Sequence, residues 1–137
     1  QELLILRRFR VNEPLDYINS VMTHEEILEI QNNVREIEIH EDVEKYLLHI
    51  IRKTREHEDI EIGISPRGSI ALMRASQAMA LIEGRTYCIP DDIRGIAVEV
   101  LAHRIKLTME AYLQTTPELV INEIIRTALV PLENGIS

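Results

Sequence analysis

Apolar residues recur at helical spacing along most of this 137-residue chain. In the clearest stretch they stand at i, i+3, i+4, i+7 and i+8, as Val43, Tyr46, Leu47, Ile50 and Ile51. This spacing lines apolar side chains along one face of a helix, where neighbouring helices can bury them together. Similar stripes follow Thr23, Pro90 and Thr116. The pattern predicts an all-α fold, a helical bundle.

One short stretch departs from the helical period. Residues 37–40 alternate apolar and polar side chains, which is typical of an extended chain. We therefore expect at most a very short extended segment near residues 36–40. The run from Pro66 to Glu83 is instead apolar around much of its circumference. We expect this helix at the centre of the bundle, packed on more than one side.

Capping residues mark several helix boundaries. Thr23, with Glu26 three residues later, is the signature of a capping box. Gly84 suits the C′ position that ends the helix from Pro66. Thr116 followed by Pro117 predicts another start, because a hydroxyl caps a helix and proline fits its first turn.

The most informative helix start is Ser65-Pro66-Arg67. Ser65 is predicted as the N-cap and Pro66 as the first helical residue. Arg67 then falls in the first turn, where unpaired N–H groups and the helix dipole already make the potential positive. A cation there calls for a negative partner, either a carboxylate of the protein or a bound anion such as phosphate. An ordinary solvated arginine is the alternative.

Composition limits the classes of function. The formal net charge of −8 argues against binding to duplex nucleic acid, which needs a concentrated basic surface. No apolar run approaches the roughly 20 residues of a membrane span, and no signal-peptide pattern is present, so we expect no membrane contact. The single cysteine, Cys88, excludes an internal disulfide and a cysteine-based zinc site. We expect a cytoplasmic protein and, because a helical pattern is already under way at Gln1, a piece of a longer chain.

Catalytic motifs are scarce. None of the lysines follows a glycine, and no apolar strand ends in an Asp-Glu pair, so the phosphate loop and the magnesium-holding acidic strand of nucleotide hydrolases are missing. No two of the histidines stand at i, i+4, which favours solvated or helix-end histidines over a metal site. Cys88 has no motif around it and is predicted to be a small buried or half-buried side chain rather than a nucleophile. His103 and Arg104 lie at a predicted helix end, where they could cap carbonyls or contact a neighbouring subunit.

Four motifs follow one another along the chain. They are GISPRGSIAL at 63–72, AMALIEGRTY at 78–87, IPDDI at 89–93 and VLAHRI at 100–105. In order and spacing they resemble the C-terminal lid of MoxR-type AAA+ ATPases, over about residues 34 to 105. By the same resemblance, residues 1–33 correspond to the segment that joins an AAA+ core to its lid, and residues 34–137 to the helical lid domain.

The resemblance implies that Arg67 is a sensor-2 arginine, which reaches the phosphates of ATP held with Mg²⁺ by the AAA+ core. Ser65 and Pro66 would position the helix start. The implied partners are the core of the same chain, neighbouring subunits of a ring that is commonly a hexamer, and an unidentified client protein. Family members are regarded as chaperone-like factors that mature or assemble protein complexes. The parent protein would be an ATPase, whereas this chain alone would not.

Two positions depart from the family pattern. Gly68 stands where the family usually has alanine, which weakens the helix start by up to about 1 kcal/mol but leaves room for a close approach. Ile89 stands where a threonine often caps the following helix, so we expect that side-chain cap to be missing.

Other functions stay open on the sequence. The chain could be a stand-alone acidic helical module that binds a protein partner without any nucleotide. It could also be a small metal-dependent helical enzyme. The chain could also be the lid of a magnesium-chelatase-type AAA+ subunit, which is closely related to a MoxR-type lid. Only the sequence of the AAA+ core would distinguish these two families.

Overall fold

The computed structural model describes residues 1–11 and 13–130. Its elements, in chain order, are α1 (Glu2–Val11), a 3₁₀ turn (Pro14–Tyr17), α2 (His24–Glu36), α3 (Glu41–Glu56), β1 (Ile60–Ile62), α4 (Pro66–Ile82), α5 (Pro90–Leu101), a second 3₁₀ turn (Ala102–Arg104), β2 (Lys106–Leu107), α6 (Met109–Tyr112) and α7 (Pro117–Thr127). Helices dominate, and the predicted all-α fold class is confirmed. Within the described residues, no helix combines the length and the apolar character that crossing a bilayer requires.

The chain divides into two compact units, Gln1–Gln31 and Asn32–Ser137. In the first unit, α1 buries none of its described side chains. Half of the predicted capping box at the start of α2 is observed, since the backbone N–H of Glu26 donates to Thr23 Oγ1 at 3.2 Å. The Glu26 carboxylate accepts the Thr23 hydroxyl, also at 3.2 Å, in a bond between the two side chains. The predicted lid range of 34–137 includes residues 131–137, which lie outside the described residues.

The core of the second unit is formed by the apolar faces of α3, α4, α5 and α7. Three of the four predicted stripes are buried: α3 buries Val43, Tyr46, Leu47, Ile50 and Ile51, α5 buries Ile93, Ala97 and Leu101, and α7 buries Val120, Ile121, Ile124 and Ile125. The stripe that follows Thr23 is not, because α2 buries none of its described residues. Helical periodicity therefore identified most of the core correctly.

Helix α4 is packed on two sides but open on a third. It contacts α5 along most of its length and α3 over a shorter stretch, and it buries Leu72 and Ala80 completely. Ile70 and Ile82, however, are 55% and 76% exposed. The apolar circumference predicted from the sequence is thus broader than the surface that the described chain covers.

A two-stranded antiparallel sheet joins β1 to β2, with Ile60 opposite Leu107. This sheet lies outside the extended segment expected near residues 36–40, where the chain makes only an isolated bridge between Glu38 and Tyr87. The expectation missed β1 because three residues are too few to show an alternating period. Its partner strand also comes from a distant part of the chain, which local patterns do not reveal.

The connection from α4 to α5 is a compact turn. Gly84 ends α4 at the C′ position with a φ of +78°, as the sequence predicted. The N–H of Gly84 donates to Leu81 O and that of Arg85 to Ala80 O, both at 2.9 Å, the hydrogen-bond pattern of a Schellman motif. These bonds satisfy the last carbonyls of α4 and fix where α5 begins.

Candidate functional site

The start of α4 has the capping geometry predicted for Ser65 and Pro66. Ser65 is the N-cap, with an extended backbone, and its Oγ accepts the N–H of Gly68 at 3.3 Å. The Ser65 carbonyl accepts the N–H of Ser69 at 3.1 Å. Pro66 occupies the first helical position, where its missing N–H costs nothing. Most of the donors of the first turn are therefore already satisfied within the helix start.

Arg67 lies in this first turn with an exposed side chain. Within the described part of the chain, no carboxylate lies within ion-pair distance of its guanidinium. The described residues therefore do not supply the negative partner that a cation in a positive helix start calls for. Arg67 remains available to an anion from outside this set of residues.

The loop that leads into α4 is held by the last turns of α3. Thr54, which is completely buried, accepts the N–H of Ile64 on its Oγ1 at 3.1 Å. The next residue, Arg55, donates from Nε to the carbonyl of Ile64 at 2.9 Å. Both polar groups of the residue before the N-cap are thus bonded to adjacent residues of α3. Neither Thr54 nor Arg55 is among the site residues predicted from the sequence.

A signal for Thr54 is nevertheless present in the sequence. Continuing the α3 stripe from Ile50 and Ile51 leads to position 54, which lies on the buried face yet carries a hydroxyl. A polar group on a buried face needs a hydrogen-bond partner, and here the hydroxyl also donates to Ile51 O at 2.6 Å. The sequence predicts that this helix ends in the polar stretch from Thr54 to Asp59, and α3 ends within it, at Glu56.

Two glycines allow close packing around the helix start. A Cβ atom at position 63 would lie 2.7 Å from Thr54 O and 2.8 Å from Arg55 Cα, so only glycine fits there without movement of the backbone. A Cβ at position 68 would lie 2.6 Å from Cγ2 of buried Ile64 and 3.5 Å from Cδ of Arg104. The close approach expected at Gly68 is therefore present, and it involves Ile64 and Arg104.

Arg104 thus lies beside the start of α4. It ends the 3₁₀ turn after α5, and its side chain is exposed, with no ion pair to any described carboxylate. From the sequence, two roles were possible for this arginine: capping the carbonyls at a helix end, or contacting a neighbouring subunit. Its aliphatic stem packs near Gly68, a contact that no local pattern indicates.

A second group of ionisable residues lies at the start of α5. Ile89 is the N-cap and has no side-chain oxygen, so the expected loss of that cap is confirmed. The buried carboxylate of Asp92 accepts the N–H of Ile89 at 2.8 Å and pairs with the guanidinium of Arg85. Asp92 therefore satisfies the backbone at this turn, and its charge is neutralised internally.

Cys88 lies next to this group and is completely enclosed, with an exposed fraction of 1%. Burial, together with the negative charge of Asp92, raises the pKa of the Cys88 thiol to about 11. Because the thiolate is the nucleophilic form, Cys88 is unreactive near neutral pH. The prediction of a small buried side chain is confirmed.

The described residues contain no group of three or more His, Cys, Asp and Glu side chains placed to hold a metal ion. His57 accepts the N–H of Asp59 on Nδ1 at 3.1 Å, and its Nε2 lies 3.8 Å from a Glu123 carboxylate oxygen. His40 is the N-cap of α3, with its ring 6.4 Å from that of Tyr87. These two histidines have structural surroundings at helix ends.

Comparison with known proteins gives a consistent result. The AAA lid domain family matches residues 52–124, which is more than half of the chain. The protein YeaC of Bacillus subtilis is 36% identical over 98% of this chain and 42% of its own length. Chaperone MoxR1 of Mycobacterium tuberculosis is 28% identical over 99% of this chain and 38% of its own length.

A solved structure shares the fold. The crystal structure of a candidate ATPase from Cytophaga hutchinsonii superposes with a TM-score of 0.79 at 29% sequence identity, covering 96% of this chain and 43% of that one. The chain thus spans about two fifths of the length of each of these relatives.

Proposed function

Because this chain belongs to the AAA lid domain family and is the lid of a MoxR-type AAA+ protein, we propose that Arg67 acts as its sensor-2 arginine. In this proposal an AAA+ core binds ATP with Mg²⁺, and Arg67 donates hydrogen bonds to the β- or γ-phosphate. Hydrolysis then weakens the contact between lid and core. The lid passes that change to neighbouring subunits of a ring, a hexamer in the simplest case, and so to a client protein that the complex matures or assembles.

The observation that carries the proposal is the state of Arg67 itself. It is a cation in the first turn of a long helix, exposed, and without an ion-pair partner among the described residues. A helix start favours an anion, and a guanidinium binds phosphate oxygens with two parallel hydrogen bonds. Both features suit a phosphate, and the AAA lid family of this chain makes a nucleotide phosphate the anion that we propose.

The local donors fit a phosphate contact made by the side chain. Pro66 has no N–H, and the N–H groups of Gly68 and Ser69 are bonded to Ser65. The donors that this helix start still offers are therefore the guanidinium of Arg67 and its backbone N–H. Such a site adds one contact to a nucleotide that is bound elsewhere, which suits a lid better than a primary nucleotide pocket. In the proposal the core supplies that pocket and the magnesium ligands.

Apolar surface beside Arg67 supports contact with another domain. Ile70, one turn after Arg67 on the same side of α4, is 55% exposed, and it borders a shallow groove with Leu47, Leu48 and Met73. Exposed apolar surface of this kind is typical of a face that packs against a partner. We assign the AAA+ core as that partner, because the core must approach Arg67 to bring the nucleotide within reach.

The proposal is tested by ATP turnover in the full-length AAA+ protein that carries this lid. We expect Arg67→Ala to lower turnover by roughly a hundredfold to a thousandfold, the range seen when one donor to developing charge is removed. Arg52→Ala is the matched control, since Arg52 is an exposed arginine of α3 with no ion pair to a described carboxylate, and it should leave turnover within twofold. Unchanged turnover in Arg67→Ala, with the lid folded, would reject the sensor-2 role.

A further inference from the structure

We propose that Thr54 and Arg55 are positioning residues that set the location of Arg67 by holding Ile64. The inference rests on the proposed function, because it concerns the same phosphate contact. It adds that the last turns of α3, rather than α4 alone, fix where the guanidinium stands. Neither residue touches the nucleotide in this account.

The first contact is the hydrogen bond from the N–H of Ile64 to Thr54 Oγ1, at 3.1 Å. Thr54 has no exposed surface, and Ile64 is 1% exposed, so water cannot replace this bond. The hydroxyl is itself oriented by donating to Ile51 O at 2.6 Å. A buried acceptor with a fixed direction leaves the Ile64 peptide little freedom to rotate.

The second contact acts on the carbonyl of the same residue. Arg55 Nε donates to Ile64 O at 2.9 Å, and Gly63 packs so closely that a Cβ there would meet the α3 backbone within 2.8 Å. The peptides on both sides of Ile64 are therefore held against adjacent residues of one helix. Ile64 directly precedes the N-cap Ser65, so this anchor lies only three residues from Arg67.

The anchor also connects the phosphate contact to the body of the lid. Helix α3 contacts α4, α5, α7 and β1, which makes it part of the rigid core rather than a mobile loop. A guanidinium placed by α3 moves with that core when the lid moves.

The test is a double-mutant cycle in the full-length AAA+ protein. We expect Thr54→Val, which keeps the shape but removes the hydroxyl, to lower kcat/KM for ATP by about tenfold, because small misplacements of a catalytic contact have large effects. Thr54→Ser keeps the hydroxyl and should restore kcat/KM to within twofold of wild type. In the Arg67→Ala background, Thr54→Val should cause no further loss, since the arginine that it positions is absent.

Ser76→Ala is the matched control for removing a buried hydroxyl. Ser76 is 1% exposed and donates only within α4, to Leu72 O at 2.7 Å. We expect its loss to leave kcat/KM within twofold. An equal loss in Ser76→Ala and Thr54→Val, or an undiminished loss from Thr54→Val in the Arg67→Ala background, would overturn the positioning role.

A second variant keeps the inference testable if Thr54→Val does not fold. Arg55→Met removes the bond to the Ile64 carbonyl from an exposed side chain, and we expect about a threefold loss in kcat/KM that disappears in the Arg67→Ala background. No loss in Arg55→Met would overturn the inference. An active Arg67→Ala protein would instead reject the sensor-2 proposal, and this inference with it.

Discussion

The starts of α4 and α7 are built on the same capping motif but differ in charge. At α4, Ser65 Oγ accepts the N–H of Gly68, and at α7, Thr116 Oγ1 accepts the N–H of Leu119, both at 3.3 Å. Each N-cap is followed by a proline at the first helical position. The residue after the proline is Arg67 in one helix and Glu118 in the other.

The charge in the first turn affects the stability of the two helices in opposite directions. Glu118 places a negative charge where the helix dipole favours one, so the α7 start is arranged for stability alone. Arg67 places a positive charge in the same position, where it opposes the dipole. In the proposed function, the unfavourable and unpaired charge at the α4 start is compensated by the phosphate that Arg67 binds.

The segments before the two N-caps differ as well. Ile64 is buried and bonded through both its N–H and its carbonyl to α3. Thr115, before the α7 N-cap, is half-buried, and its N–H donates to Ala111 O within the preceding turn. The α4 start is thus anchored to a distant helix, whereas the N–H before the α7 cap is bonded locally.

The largest effect on stability is expected at Gly63, where this anchor depends on close packing. Gly63→Ala should lower the free energy of unfolding by about 3 kcal/mol, because the new methyl group meets backbone atoms of Thr54 and Arg55 that cannot move aside. Gly95→Ala is the control: it lies in α5 with open space around it, and should raise stability by about 0.5–1 kcal/mol. Chemical denaturation of both variants measures the two changes in the free energy of unfolding. An unchanged free energy of unfolding in Gly63→Ala would show that the loop before α4 is not tightly packed against α3.

A third helix start, that of α5, tests whether an internal ion pair replaces a hydroxyl cap. Asp92→Ala should lower the free energy of unfolding by about 2 kcal/mol, since it leaves the N–H of Ile89 without its acceptor. The same variant should lower the pKa of the Cys88 thiol from about 11, because Asp92 is one of the groups that raise it. Thiolate absorbance against pH reports the second effect. An unchanged thiol pKa would place Asp92 too far from Cys88 to act on it.

Removing the N-cap hydroxyls should affect the two matched helices equally. Ser65→Ala and Thr116→Ala are each expected to cost about 1 kcal/mol of unfolding free energy, the usual effect of losing a cap. Only Ser65→Ala should also lower ATP turnover in the full-length protein. Equal turnover in the two variants would mean that the α4 start need not be well ordered for Arg67 to act.

The smallest effect on stability comes from exchanging the charges of the first turns. Arg67→Glu should raise the free energy of unfolding by about 0.5 kcal/mol, and Glu118→Arg should lower it by a similar amount. Turnover should show the opposite ranking, with Arg67→Glu nearly inactive and Glu118→Arg close to wild type. A lower free energy of unfolding in Arg67→Glu would show that the helix dipole does not favour a negative charge at position 67.

The sequence predicted those parts of the fold that depend on neighbouring residues. The stripes of α3, α5 and α7, the caps at Thr23 and Ser65, and the end of α4 at Gly84 all follow from spacing within one helix or turn. The pairing of β1 with β2 was missed, because it joins two short segments far apart in the chain. The sequence also predicted α4 to be more enclosed than it is, since periodicity does not distinguish a buried apolar face from an exposed one.

The candidate site divides in the same way. Ser65, Pro66 and Arg67 could be chosen from the sequence because capping and the helix dipole act locally. Thr54 and Arg55 could not be connected to them, because their bonds to Ile64 span 10 and 9 residues through the turn at β1. The only sequence signal was a polar residue on the buried stripe of α3, which indicates a hydrogen bond but does not name its partner.

The most direct test is a structure of the full-length AAA+ protein with a non-hydrolysable ATP analogue and Mg²⁺. The account predicts that the Arg67 guanidinium lies within hydrogen-bond distance, about 3 Å, of a β- or γ-phosphate oxygen, with the bonds from Thr54 and Arg55 to Ile64 intact. An Arg67 side chain that faces solvent, or that pairs with a carboxylate of the core while the nucleotide is bound, would contradict the central claim.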